Sequence, residues 1–305
     1  MNRSFFTKKR IALVCLAIVL AVCLGCGLYV RAKVRQPRAP YLHAQALRNL
    51  DNVAFRLHNA AEKEHLSLDT LGTVAYGDFA APFWRVRYTP PQAAVRTVLV
   101  TGGVHGSEPM GAESVLRFIE LLARTTEDYP DTAFVILPMV NPWGYVHNRR
   151  LNQQGRDINR DFGPFKTQEA RFTQEALDGA QFDMVIDHHE DNTATGFYLY
   201  DLATPDETAC REVIGAVRDA GHPIEQDAGM VIMKTDDGVI DTPVWPLHVA
   251  AWTVGNSLAN YARLNHAATV FLLESPGRLR PEARLEMHAL ARQQLLIAAA
   301  TAPGA

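Results

Sequence analysis

The stretch AVRTVLVTGGVHGSE, residues 94–108, decides how this chain reads. Its first seven residues are apolar and rich in β-branched side chains, the composition of a strand buried on both faces. Thr101, Gly102 and Gly103 then end the strand in a tight connection, and a helix is expected over 110–123. Working outward, short strands are expected at 72–76, 83–88, 134–137, 182–186 and 269–273. Helices are expected at 44–64, 167–178, 206–220 and 281–299. Short apolar strands alternating with helices imply an α/β fold, a parallel or mixed sheet covered on both faces. Ligand sites of such sheets lie beyond the carboxyl ends of the strands. His105, His189 and Glu274 each fall within a few residues of such an end.

His105 and Glu108 are three residues apart in a connection made compact by Gly102, Gly103 and Gly106. Zinc takes imidazole nitrogen and carboxylate oxygen tetrahedrally, and catalytic sites leave one position for water. A lone His-x-x-Glu is also common on exposed helices, so a third ligand is needed. Asp187-His188-His189-Glu190-Asp191 closes the strand at 182–186. Neighbouring strand residues point to opposite faces, so only one imidazole can serve the site, and His189 is chosen. Between positions 149 and 160 lie Arg149, Arg150, Arg156, Asn159 and Arg160, a set suited to a planar carboxylate as well as to a solvated loop. Asp157 could accept from the far nitrogen of a ligating histidine. Glu274, straight after an apolar strand, is either a cap or a desolvated base.

These motifs, in this order over residues 96–277, resemble the zinc carboxypeptidase superfamily. That family spans pancreatic-type carboxypeptidases, bacterial murein-peptide amidases and the succinylglutamate desuccinylase/aspartoacylase branch. The resemblance implies a three-layer α/β/α sandwich around a mixed, roughly eight-stranded sheet. It implies one Zn2+ held by His105, Glu108 and His189, with Asp157 behind His105. Asn159 and Arg160 would hold the substrate carboxylate, Arg150, or less directly Arg149, would polarise the scissile carbonyl, and Glu274 would be the catalytic base. The substrate would be a peptide or N-acyl amino acid with a free carboxylate. Only 31 residues follow Glu274, which favours the single-domain peptidase or amidase arrangement over the deacylase branch. The other readings are an N-acyl amino acid deacylase and a non-catalytic binding module. Tyr198, Tyr200 and Tyr261 are all available to cover the substrate, and none is singled out.

The amino terminus reads differently. Arg3, Lys8, Lys9 and Arg10 precede twenty uncharged, mostly apolar residues, 11–30, long enough as a helix to cross about 30 Å of hydrocarbon. Residues 1–30 are therefore expected to be an uncleaved membrane anchor and 31–40 a linker. Residues 41–305 would form the catalytic domain on the exported side. Cys15, Cys23 and Cys26 lie in the apolar run, leaving Cys210 alone in the body, without a partner for an internal disulfide. A net charge of -3 lends no support to nucleic acid as a partner.

Overall fold

The computed structural model describes residues 16–17, 19–29, 31–32, 38, 40–41, 44–202, 208–230 and 233–301. Helix α1 (Asp51–Ala61) leads into the hairpin β1 (Leu66–Tyr76) and β2 (Phe79–Tyr88). Strand β3 (Arg96–Gly102), helix α2 (Pro109–Leu122), strand β4 (Thr132–Leu137) and helix α3 (Pro142–His147) follow. A 3₁₀ turn at Ile158–Arg160 precedes α4 (Gln168–Leu177), β5 (Phe182–Asp191), β6 (Tyr198–Asp201) and α5 (Thr208–Asp219). The remainder comprises β7 (Gly229–Met230), β8 (Met233–Lys234), β9 (Val239–Asp241), α6 (Val244–Thr253), α7 (Leu258–Asn265), β10 (Ala267–Pro276) and α8 (Pro281–Thr301).

Eight strands form one mixed sheet in the order β1-β2-β4-β3-β5-β10-β6-β9. β4, β3, β5 and β10 run parallel, while β1 with β2, β2 with β4 and β10 with β6 are antiparallel. Val98 and Val100 of β3 join one apolar cluster, and Leu99 joins the other. This is the period-two alternation of a strand covered on both sides. Helices α1, α2, α5 and α8 bury Leu57, Leu116, Val213 and Leu295 on the first face. Helices α3, α4, α6 and α7 bury Trp143, Leu177, Leu247 and Leu258 on the second. Each such large side chain contributes roughly 1.5–3 kcal/mol of transfer free energy. In α2, Ala112, Val115, Leu116, Ile119 and Leu122 recur at helical spacing and make its buried stripe. Gly111 lets that helix lie against β5, where a Cβ would come within 2.6 Å of the His188 carbonyl oxygen.

From β3 the chain crosses to β4 on one side, and from β4 it returns to pair β5 on the other. The ends of β3 and β5 therefore flank the point where the strand order reverses, the usual ligand position in open α/β sheets.

Three expectations need correction. The helix expected over 44–64 begins only at Asp51, because residues 44–49 run irregularly along α3 with Leu47 exposed. The strand at 182–186 continues to Asp191, so the histidines lie within it. The membrane anchor is overturned: among the described residues no helix is long and apolar enough to cross a membrane. Residues 1–15, 18 and 30 lie outside the described residues. The expected membrane partner and membrane-anchored, exported location lose their basis with it. In the expected linker, Arg38 N donates to the Gly155 carbonyl at 2.8 Å. Next to it, Tyr41 stacks on Trp143.

Away from the strand ends, Glu169 is fully buried, and the Tyr76 phenol donates to its carboxylate at 2.7–2.8 Å. Burial pushes the Glu169 carboxyl up to about 7 despite that bond. The folded protein thus holds this proton more tightly than the unfolded chain does. The resulting stabilisation is complete below the ordinary value of 4.5 and is lost as pH rises through about 7. Stability measured by urea unfolding should fall by a few kcal/mol across that interval, and Glu169→Gln should flatten the fall. An undiminished slope in the variant would contradict this assignment.

Candidate metal centre

The connection from β3 to α2 carries two of the proposed ligands. It packs so closely on α3 that a Cβ at Gly106 would lie 1.8 Å from the Gly144 carbonyl carbon. Asn141 N donates to the Gly103 carbonyl at 2.9 Å and fastens the two loops together. His105 and Glu108 are both buried. Glu108 sits at the N-cap of α2 but makes no side-chain cap. The carboxylate of Glu190, from β5, accepts from Met110 N instead. This substitution frees Glu108 to face the imidazoles.

β3 and β5 pair with Gly102 opposite His188 and Thr101 opposite Asp187. His189 consequently faces the same side as Asp187, and His188 faces the opposite side. Glu108 Oε1 lies 2.8 Å from His105 Nδ1, and its Oε2 lies 2.8 Å from His189 Nδ1. One ligand atom from each of these three residues falls within 4.8 Å of the others. His105 Nδ1 is sealed from solvent and has no hydrogen-bond partner despite the nearby carboxylate. A buried lone pair left in that state suits coordination better than it suits the apo fold. The donor set, two imidazoles and one carboxylate, is that of catalytic zinc sites. The residues present therefore fit a single metal ion.

The far nitrogens are also held. His105 Nε2 is 3.3 Å from Asp157 Oδ1. His189 Nε2 is 3.1 Å from Asp187 Oδ2, while Thr101 Oγ1 donates to Asp187 Oδ1 at 2.6 Å. Burial alone would raise the Glu108 and Asp157 carboxyls, but the facing imidazoles outweigh it and hold both well below the carboxylate range. Burial alone would lower His189, but Asp187 and Glu108 drive it well up. Three carboxylates thus favour positive charge at this point, and a metal ion supplies it by displacing protons.

Parallel pairing places Glu274 of β10 directly opposite His189. Glu274 is reachable from the pocket, yet its Oε2 is buried without a hydrogen-bond partner. Burial, reinforced by Glu108 and Asp191, pushes this carboxyl well above its ordinary value. The Arg150 guanidinium spans the site, with Nη1 3.3 Å from Glu108 Oε1 and Nε 3.3 Å from Asp157 Oδ2. Asn141, through Nδ2, holds the Arg150 carbonyl at 3.3 Å.

The pocket measures about 520 Å³ and also takes in Asn159 and Arg160. Asn159 Oδ1 accepts from Leu258 N at 2.8 Å, which fixes the 3₁₀ turn to α7. Leu202, Leu247, Ala250, Val254 and Leu272 form its apolar wall. Arg149 is not among the lining residues, and its guanidinium lies 5.4 Å from the Tyr41 ring. Asp161, next to Arg160 in sequence, accepts from Thr167 N and Oγ1.

The role of Asp187 escaped the sequence reading, whereas Tyr198 and Tyr200 were named there as candidates without being singled out. Asp187 shares a strand face with His189, so period-two spacing could have found it. Tyr198 and Tyr200 line the pocket from β6, and Tyr198 donates to Asp191 Oδ2 at 2.9 Å. Tyr261 instead packs against Phe162 and Phe165.

Residues 94–235 match the succinylglutamate desuccinylase/aspartoacylase catalytic domain family. No curated protein matches the chain significantly. Among solved structures, a candidate metallopeptidase from Shewanella amazonensis SB2B superposes with a TM-score of 0.67 at 21% identity. That alignment covers 83% of this chain and 98% of the other. A metallo-carboxypeptidase from Burkholderia cenocepacia superposes with a TM-score of 0.63 at 19% identity, over 83% of this chain and 70% of its own. A metallo-carboxypeptidase from Pseudomonas aeruginosa gives 0.61 at 15%, over 83% and 69%. At such identities these likenesses concern the fold. Taken with the family match and the His105–Glu108–His189 cluster, they make the chain similar in fold and metal-ligand set to the zinc carboxypeptidase superfamily.

Proposed function

We propose that this chain is a zinc-dependent hydrolase that cleaves an amide bond beside a free carboxylate, with residues 41–305 as its catalytic unit. The observation that carries this reading is the unpartnered Oε2 of Glu274, beside the ligand cluster in the pocket that also holds Asn159, Arg160 and Arg150. A buried carboxylate with no partner is costly to keep and gains one when a water molecule enters. Bound zinc would supply Lewis acidity, making that water acidic and the scissile carbonyl electrophilic.

The chain's own groups account for the remaining steps. Glu274 takes a proton from the attacking water, and its raised affinity for protons suits it to pass that proton to the leaving amine. Arg150 stands where negative charge grows on the carbonyl oxygen. Arg160 and Asn159 hold the substrate carboxylate, the guanidinium supplying a planar fork. Asp157 and Asp187 keep the ligating rings in the tautomer that leaves Nδ1 free. The apolar wall favours a peptide whose terminal side chain is apolar. A second reading, removal of the acyl group from an N-acyl amino acid, draws on the family match over residues 94–235. A hydrolysis panel of peptides with apolar carboxyl-terminal residues against N-acyl amino acids, with and without chelator, separates the two.

Three variants test the roles. Glu274→Gln should keep its zinc by elemental analysis while kcat drops at least about a hundredfold; near-wild-type turnover would refute the base. Arg160→Ala should raise KM for free-acid substrates far more than for their esters, and equal losses would remove its carboxylate role. Asp187→Asn should weaken zinc binding by about 10–100-fold in a chelator competition. Unchanged affinity would leave Asp187 with no part in the site.

A further inference from the structure

The buried cation Arg292 lies on the other side of the sheet from the metal centre. It is 5% exposed, and its guanidinium stacks over Phe118 at 4.4 Å. Its Nη1 donates to Ser114 Oγ at 3.0 Å and lies 3.4 Å from His188 Nε2. Neither a serine hydroxyl nor an imidazole brings negative charge to it. Burial lowers Arg292 only to about 10, so it remains a cation at neutral pH. Among the described residues no carboxylate forms an ion pair with it. A buried charge without a counter-charge is a costly arrangement in a folded protein.

Arg292 lines a hollow of about 180 Å³ together with Ser114, Arg117, Leu285 and Ala289. That is room for several water molecules, or for one small polyatomic ion. Glu282 and Glu286 stand in the same lining, and Glu286 pairs with His222 at 3.1 Å. Carboxylates at the rim oppose a polyanion and leave a small ion as the occupant. We propose that this hollow binds a small oxyanion, the size of phosphate or acetate, on Arg292 and Ser114. Planar guanidinium and hydroxyl donors suit oxygen anions.

Thermal unfolding of the zinc-loaded protein in sodium phosphate or sodium acetate, against sodium chloride at equal ionic strength, tests the site. Phosphate or acetate should raise Tm by at least about 2 °C at saturation. A response to phosphate alone would mark a tetrahedral ion, and a response to acetate alone a carboxylate. Ala289→Glu, three residues from Arg292 on the same helix face, should place a carboxylate in the hollow. It should raise Tm in chloride and abolish the anion response. Ser114→Ala should reduce that response. No shift in the wild type would overturn the proposal. So would a response undiminished in both variants, because the ion would then sit elsewhere, such as on Arg150 and Arg160.

Discussion

Glu108 holds the site together: each of its oxygens faces a different imidazole at 2.8 Å. One of those rings comes from its own loop, the other from a strand 81 positions further along. The contact exists only because β3 and β5 pair with Gly102 opposite His188. A one-residue slip would turn His189 into the helical layer and present His188 to the pocket. The pairing of β5 with β10 extends the same constraint, since it sets Glu274 opposite His189. Sheet register therefore determines both which side chains meet in the His105–Glu108–His189 cluster and where Glu274 stands beside it.

Local stability is given up where the site requires it. Glu108 occupies a helix N-cap without capping the helix, and Glu190, itself paired with Arg284, takes over that role. Gly106 and Gly111 give up side chains so that loop and helix can approach α3 and β5. Burial disfavours charge on Glu108 and Asp157, the facing imidazoles outweigh it, and a cation at the cluster resolves the conflict. Metal binding and folding are thus coupled through the same carboxylates.

Much of this was legible in local sequence, for reasons that can be traced. Strand alternation left only one of His188 and His189 able to face the site, and the family resemblance selected His189. His105, Glu108 and Asp157 were legible as residue types with matching chemistry. Their meeting depended on long-range pairing that no local pattern encodes. Tyr198 and Tyr200 could not be told from Tyr261 as wall residues because β6 has only four residues and little periodicity. Helices α6 and α7 were missed because Pro246 and a loop at 254–257 interrupt their pattern. The helix expected over 44–64 was too long because an apolar residue, Leu47, was counted as buried when it is exposed. Arg149 was indistinguishable from Arg150 in sequence, and only its stacking on Tyr41 separates the two. The apolar run at 11–30 misled because composition was read as a span.

A crystal structure of the zinc-supplied protein with anomalous data at the zinc edge would test the central claim most directly. The account predicts a single peak, about 2.0–2.2 Å from Nδ1 of His105, Nδ1 of His189 and a carboxylate oxygen of Glu108. A map with no peak among those three side chains, or one showing zinc held by other residues, would contradict it.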